Sequence, residues 1–204
     1  MELRTLVDNS NMGEITAFIG EFKFDNDLTY LIENQKVGEF LFNNNDQNKV
    51  LKALQLVGLS RDILEVSYHD LSLGEKNLLQ IVQGLLNKEE NLILINVHKG
   101  LNYRSIENLK RVLKKITEYN KRVIVITNDI EFLFNLTKKV IAIKNNKIIK
   151  KFYPVNWFDD EIYSYVPKSE IIKFTEYSRN QNIKIENTLE TKELLKAIYR
   201  SVDK

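Results

Sequence analysis

Leu92-Ile93-Leu94-Ile95-Asn96-Val97 and Val123-Ile124-Val125-Ile126-Thr127 are continuous apolar runs of strand length, and Ile106, Leu109, Leu113 and Ile116 recur between them at the spacing of one helical face. A strand with no polar face has to be covered on both sides, which antiparallel hairpins seldom achieve and helical crossovers do. The order strand, amphipathic helix, strand therefore predicts a parallel βαβ unit. The fold class that follows is α/β, a mainly parallel sheet flanked by helices.

Working outward, Ile15 to Ile19 reads as another short strand, whereas Val37 to Phe42 fits either strand or helix. A helix is expected from Asp46, with Val50, Leu51, Leu54 and Val57 on one side and Gly58 closing it in the left-handed region. A second runs from Leu71 to about Asn87, apolar around most of its circumference and so buried on more than one side. Downstream, Asp129 to Thr137 suggests a short helix. Val140 to Ile143 and Lys147 to Phe152 read as strands joined by a tight turn at Asn145-Asn146. The two prolines, Pro154 and Pro167, bracket an aromatic segment with Trp157, Phe158, Tyr163 and Tyr165, and two helices follow, Pro167 to Arg179 and Thr191 to Val202. The expected division is an α/β domain over residues 1–152 and a small helical appendage over residues 153–204.

Composition narrows the chemistry. With 30 basic and 28 acidic side chains in 204 residues the net charge is +2, which offers no surplus of cations for nucleic acid. There are no cysteines, so thiolate metal sites, disulfides and Cys nucleophiles are excluded. The seven glycines are never adjacent, none is followed by Lys, and none falls in G-x-G-x-x-G, so nothing matches a phosphate-cradling loop. Asparagine and lysine occur 23 times each and isoleucine 22 times, the mark of AT-rich coding. No window has the apolar length of a membrane span and the first residues carry no signal-peptide run, so a cytoplasmic protein is expected.

Ser72-Leu73-Gly74-Glu75 has the form of a helix capping box. His69 and His98, with no carboxylate cluster to match, read as solvated loop residues rather than metal ligands. Lys138, Lys139, Lys144, Lys147, Lys150 and Lys151 read as a solvated face. Glu193 to Arg200 is an amphipathic helix whose Leu194, Leu195 and Ile198 need cover.

The order of short motifs adds a resemblance. Leu71-Ser72-Leu73-Gly74-Glu75-Lys76 is followed by a strand ending Asn96-Val97, then Gly100-Leu101-Asn102, then a strand ending Thr127-Asn128-Asp129, with 24 residues from Ser72 to Asn96 and 32 from Asn96 to Asn128. Over residues 46 to 152 this is similar to the second half of an ATP-binding cassette (ABC) ATPase of the energy-coupling-factor type. That family has a signature L-S-G-G-Q/E-K, a Walker B strand ending D-E, a D-loop S/G-L-D and a switch T-H-D.

The resemblance implies an inventory of departures. Asn96 stands for the magnesium-holding carboxylate, Val97 for the glutamate that polarises the attacking water, Asn128 for the switch histidine, Asn102 for the D-loop acid and Leu73 for the first signature glycine. Ile15 to Glu21 is similar to the strand before the Q-loop, with Gly20 or Glu21 at the glutamine position. No Walker A loop precedes it, so the opening strands are expected to be missing. No catalytic residue, metal site or cofactor is then implied; ATP and magnesium would be held weakly or in trans, through Ser72, Gly74 and Glu75. The implied protein is an inactive ATPase-like subunit partnering an active ABC ATPase or a membrane coupling protein, peripheral at the inner face of the membrane. A stand-alone regulatory domain on the same scaffold, unconnected with transport, is the alternative.

Overall fold

The computed structural model describes residues 2–21, 35–43, 45–87, 90–153, 155–181 and 188–202. Along the chain it forms α1 (Leu3–Asp8), β1 (Ile15–Gly20), α2 (Val37–Phe42), α3 (Gln47–Val57), α4 (Leu73–Leu86), β2 (Asn91–Ile95), α5 (Tyr103–Glu118), β3 (Arg122–Ile126), α6 (Ile130–Leu133), β4 (Lys139–Lys144), β5 (Lys147–Phe152), α7 (Glu170–Asn180) and α8 (Thr191–Val202). The sheet order is β2-β3-β1-β4-β5. All neighbours run parallel except β4 and β5, which form a hairpin. The expected α/β fold with a mainly parallel sheet is therefore what the chain adopts, and the C-terminal ends of β1, β2 and β3 open on the same edge.

The two faces of the sheet differ. Ile15, Ala17 and Ile19 of β1, Leu92 and Leu94 of β2, and Val123 and Val125 of β3 join a large core with α3, α4 and α5. Leu109, Val112, Leu113 and Ile116 supply the α5 stripe, and Val50, Leu54 and Val57 that of α3. On the opposite face Phe18, Ile124, Ile126, Ile141 and Ile143 pack with Leu6 of α1. Alternation along β1 puts Thr16 on that same face, and its hydroxyl is buried without a hydrogen-bond partner. Thr16→Val removes an unsatisfied group at nearly constant shape, so a gain of ~1 kcal/mol is expected, read as a higher urea midpoint at unchanged slope.

Several boundaries follow local chemistry. Asp46 caps α3 by accepting from the amides of Asn48 and Lys49, and Gly58 ends it at φ 85°. Val37 to Phe42, open between two readings in sequence, is helical. Within the 92–97 run the strand ends at Ile95, and Asn96 turns left-handed at φ 49°. The helix expected over Asp129 to Thr137 is only one turn long, with Asn135 at φ 57° beyond it. Asn145 and Asn146 have φ of 50° and 59°, the two positive values a type I′ hairpin turn requires.

Beyond β5, Trp157, Ile162, Val166 and Ile172 join the same core as the sheet, with Phe134 edge-on to Trp157 at 5.2 Å. On α8, Leu194 is buried but Leu195 is half exposed, so the tail helix covers less of its apolar face than its pattern suggests.

Candidate functional site

The edge where parallel strands end is the usual place for ligand contacts in open α/β sheets. Here it gathers Gly20 at the end of β1, the turn 96–102 after β2, and Thr127-Asn128-Asp129 after β3. The N-terminus of α4 meets the same turn.

The turn 96–102 is tightly held. Asn96 continues the ladder by donating its amide to Ile126 O at 2.9 Å, then accepts from the Lys99 amide at 2.9 Å, and Leu101 N donates to His98 O at 3.2 Å. This path drives Val97 inward, where it has no exposed surface and belongs to the main core. His98, expected as a solvated loop residue, is instead 7% exposed. Its ring stacks on Phe132 at 4.6 Å between centroids, and its Nε2 lies 3.0 Å from Asp129 Oδ2. Sequence reasoning missed this partnership because it joins residues from separate loops that only the βαβ crossover brings together. His69 is exposed as expected.

Asp129 also caps α6, accepting from Phe132 N at 3.2 Å, and its own amide donates to Thr127 Oγ1 at 3.1 Å. The hydrogen bond from His98 holds its carboxyl below the ordinary value of 3.8, against the opposing effect of burial, with the Phe132 amide adding to the depression. A carboxyl depressed in the native state contributes stability above its unfolded value, and that contribution is lost as pH falls through the native one. Asp129→Asn keeps a capping oxygen, so its deficit against the parent protein should be full at neutral pH and close as the pH drops below 3.8, measured by urea unfolding across that range.

Asn128 faces the other way. Its Oδ1 accepts from Gly20 N at 2.7 Å and its Nδ2 donates to Gly20 O at 3.2 Å, so both ends of the amide are spent on the terminus of β1. Gly20 has φ 103°.

At the head of α4 the capping box is complete. Ser72 Oγ accepts from Glu75 N at 3.3 Å, while Glu75 Oε2 accepts from Ser72 N at 2.9 Å and from Ser72 Oγ at 2.7 Å. The serine hydroxyl and the glutamate are thus engaged with each other. Ser72→Ala should cost ~1 kcal/mol, seen as a lower thermal midpoint. Leu73 projects outward, 56% exposed. Gly74 packs on the turn so closely that a Cβ there would lie 2.6 Å from Gly100 O, and Asn77 donates from α4 to Lys99 O at 2.9 Å. Asn77 is a buried amide among the apolar residues of α4, a signal the sequence did contain. Asn102 caps α5 by accepting from Ser105 N at 2.9 Å, with Leu101 half-buried against the core. Among the described residues no group of three His, Asp or Glu side chains could hold a metal ion, and no helix is long and apolar enough to cross a membrane.

No family model matches the chain. Curated relatives do. The energy-coupling factor transporter ATP-binding protein EcfA2 of Mycoplasmopsis synoviae is 30% identical over 114 residues, 56% of this chain and 37% of that protein. The EcfA2 of Spiroplasma kunkelii is 35% identical over 112 residues, 54% and 36% respectively. An ABC transporter ATP-binding protein of Pyrococcus abyssi is 32% identical over 155 residues, covering 74% of this chain and 56% of its own length. The chain thus spans less than two thirds of the curated relatives it matches. Among solved structures, a dimeric bacterial ABC transporter cassette aligns with a TM-score of 0.57 at 16% identity, over 72% of this chain and 88% of that one. The cbiO1 of Clostridium perfringens, part of the transporter complex cbiONQ, aligns at 0.56 and 18%, over 84% and 85%. The homologues of this chain are ABC transporter ATP-binding proteins, energy-coupling-factor members among them, and its fold is that of an ABC ATPase cassette.

Proposed function

We propose that this chain is a catalytically inactive, ABC ATPase-like subunit, a structural or regulatory partner of an active ATPase in a membrane transporter. The observation that carries the reading is the fate of the strand-end positions: Val97 is core, and both polar ends of the Asn128 side chain are bonded to Gly20. Magnesium-bound ATP does not fit such a set. Asn96 brings no negative charge to a cation, Val97 cannot orient water, and the amide of Asn128 is neither cationic nor free. Ser72, Gly74 and Glu75 remain as the candidate contact with a nucleotide held by a partner, with Leu73 crowding that approach. Gly100, Leu101 and Asn102 are assigned as the counterpart of the D-loop.

On this reading residues 1–152 form the degenerate cassette and residues 153–204 a helical appendage docked onto it, and the subunit works at the cytoplasmic face of the membrane through its partners, without nucleic acid. The test is steady-state hydrolysis of Mg·ATP by the purified chain, alone and mixed with its co-purifying partner. No turnover by the chain alone is expected; turnover abolished by Asn96→Ala would overturn the assignment. Capture from the native cell of an ABC protein with a complete Walker A loop supports the transporter role, whereas capture of unrelated proteins only would favour the stand-alone regulatory domain.

A further inference from the structure

Four contacts described above share a direction. Gly74 and Asn77 fasten α4 to the turn 96–102, His98 fastens that turn to Asp129, and Asn128, next in the chain to Asp129, fastens the switch loop to Gly20. Together they run unbroken from the signature helix to the end of β1. The middle link is the most constrained. Phe132 supports one side of the His98 ring. Lys110 of α5 sits 5.9 Å from the Phe132 ring centre and donates to Glu131 O and Phe134 O, holding α6 in place. His98 Nδ1 is buried without a partner.

We propose that His98 is a positioning residue that, with its proton on Nε2 donating to Asp129, locks the turn 96–102 and the loop 127–129 into one body. The tautomer follows from the geometry. Placing the proton on Nδ1 would bury an unpaired N–H and aim the Nε2 lone pair at a carboxylate; placing it on Nε2 leaves only a lone pair unpaired, the smaller loss. The lock concerns order within the chain and holds whether or not a partner exists.

The test uses the full chain. His69 and His98 are its two histidines, so a two-bond ¹⁵N–¹H spectrum of the side chains at neutral pH resolves both. His98 is expected as the single Nε2–H tautomer, with exposed His69 as the averaging control; an Nδ1–H tautomer, or averaging like that of His69, overturns the proposal. Native-state hydrogen exchange supplies the second readout. In His98→Ala the amides of Gly20 and Leu101 should exchange at least ~10-fold faster beyond the change seen at Val125 and Ala142 in the sheet, through added local opening. His98→Gln, whose amide can still donate to Asp129, should recover most of the protection. Equal acceleration at all four amides, or acceleration at Leu101 with Gly20 unchanged, overturns the lock. Should His98→Ala fail to fold, the tautomer of the parent protein and the exchange of His98→Gln decide the matter.

Discussion

Val97→Glu is expected to destabilise the protein by ~3–5 kcal/mol and to confer no ATP hydrolysis. Val97 is completely buried among core side chains, and the left-handed Asn96 before it sets that inward direction. A carboxylate placed there loses its hydration and gains no cation, and a penalty of this size consumes much of the net stability of an ordinary domain. The sign of the pH dependence is diagnostic. Burial raises the pKa of the introduced carboxyl, so the deficit against the parent protein should be largest at neutral and alkaline pH and shrink in acid, where the group is uncharged. Val97→Thr, nearly the same shape with a neutral hydroxyl, should cost only ~1–3 kcal/mol and show no such dependence. Urea unfolding midpoints from pH 5 to 8 measure all three proteins. A Val97→Glu chain as stable as the parent and hydrolysing ATP would mean that the side chain turns outward.

The second large effect is expected at Gly20→Ala. At φ 103° an L-residue is strained, and the new Cβ would lie 2.2 Å from Ile143 O, with the carbonyl carbon and nitrogen of Ile143 at 3.2 and 3.3 Å. These atoms are backbone, so relief requires β1 and β4 to part at their ends. Parting would also strain the bond from Glu21 N to Ile143 O and both bonds to Asn128. A loss of ~3 kcal/mol or more is expected, combining backbone strain with overpacking. Gly58→Ala is the control. Its φ of 85° is also unfavourable, but its Cβ would meet only the amide end of Asn108 at 3.2 Å, a side chain able to yield, so ~1 kcal/mol should suffice. Chemical denaturation of both variants, with unchanged denaturant slopes, checks the ranking.

What sequence conveyed depended on how local the cause was. The runs at 92 and 123 declare a parallel unit because their apolarity on both faces is a property of the runs themselves, and the α3 stripe and its Gly58 cap are equally local. Ser72 and Glu75 were legible because a capping box lies within four residues. Val37 to Phe42 was not, since six residues with apolar positions at both periods satisfy a strand or a helix until the neighbours decide. Within the site, motif order singled out Asn96, Gly100 and Asn128, yet their bonding was invisible. Asn128 reaches Gly20 across 108 positions of chain, and His98 is buried by Phe132 and Asp129 rather than by anything adjacent to it. Polar partnerships between separate strand ends are set by the closed sheet, and no periodicity in the chain encodes them.

The left-handed turns carry one last implication, for how such a sequence drifts. All five described non-glycine residues with positive φ are asparagines: Asn96, Asn120, Asn135, Asn145 and Asn146. Asparagine tolerates that region better than other side chains with a β-carbon, so a mutational tide toward asparagine codons can settle at such corners with little harm. It cannot settle at Gly20, Gly74 or Gly100, where a β-carbon would meet backbone atoms at 2.2 to 2.7 Å. In this glycine-poor chain those three corners are closed to any side chain, asparagine included, whereas the five asparagine corners stay open to one.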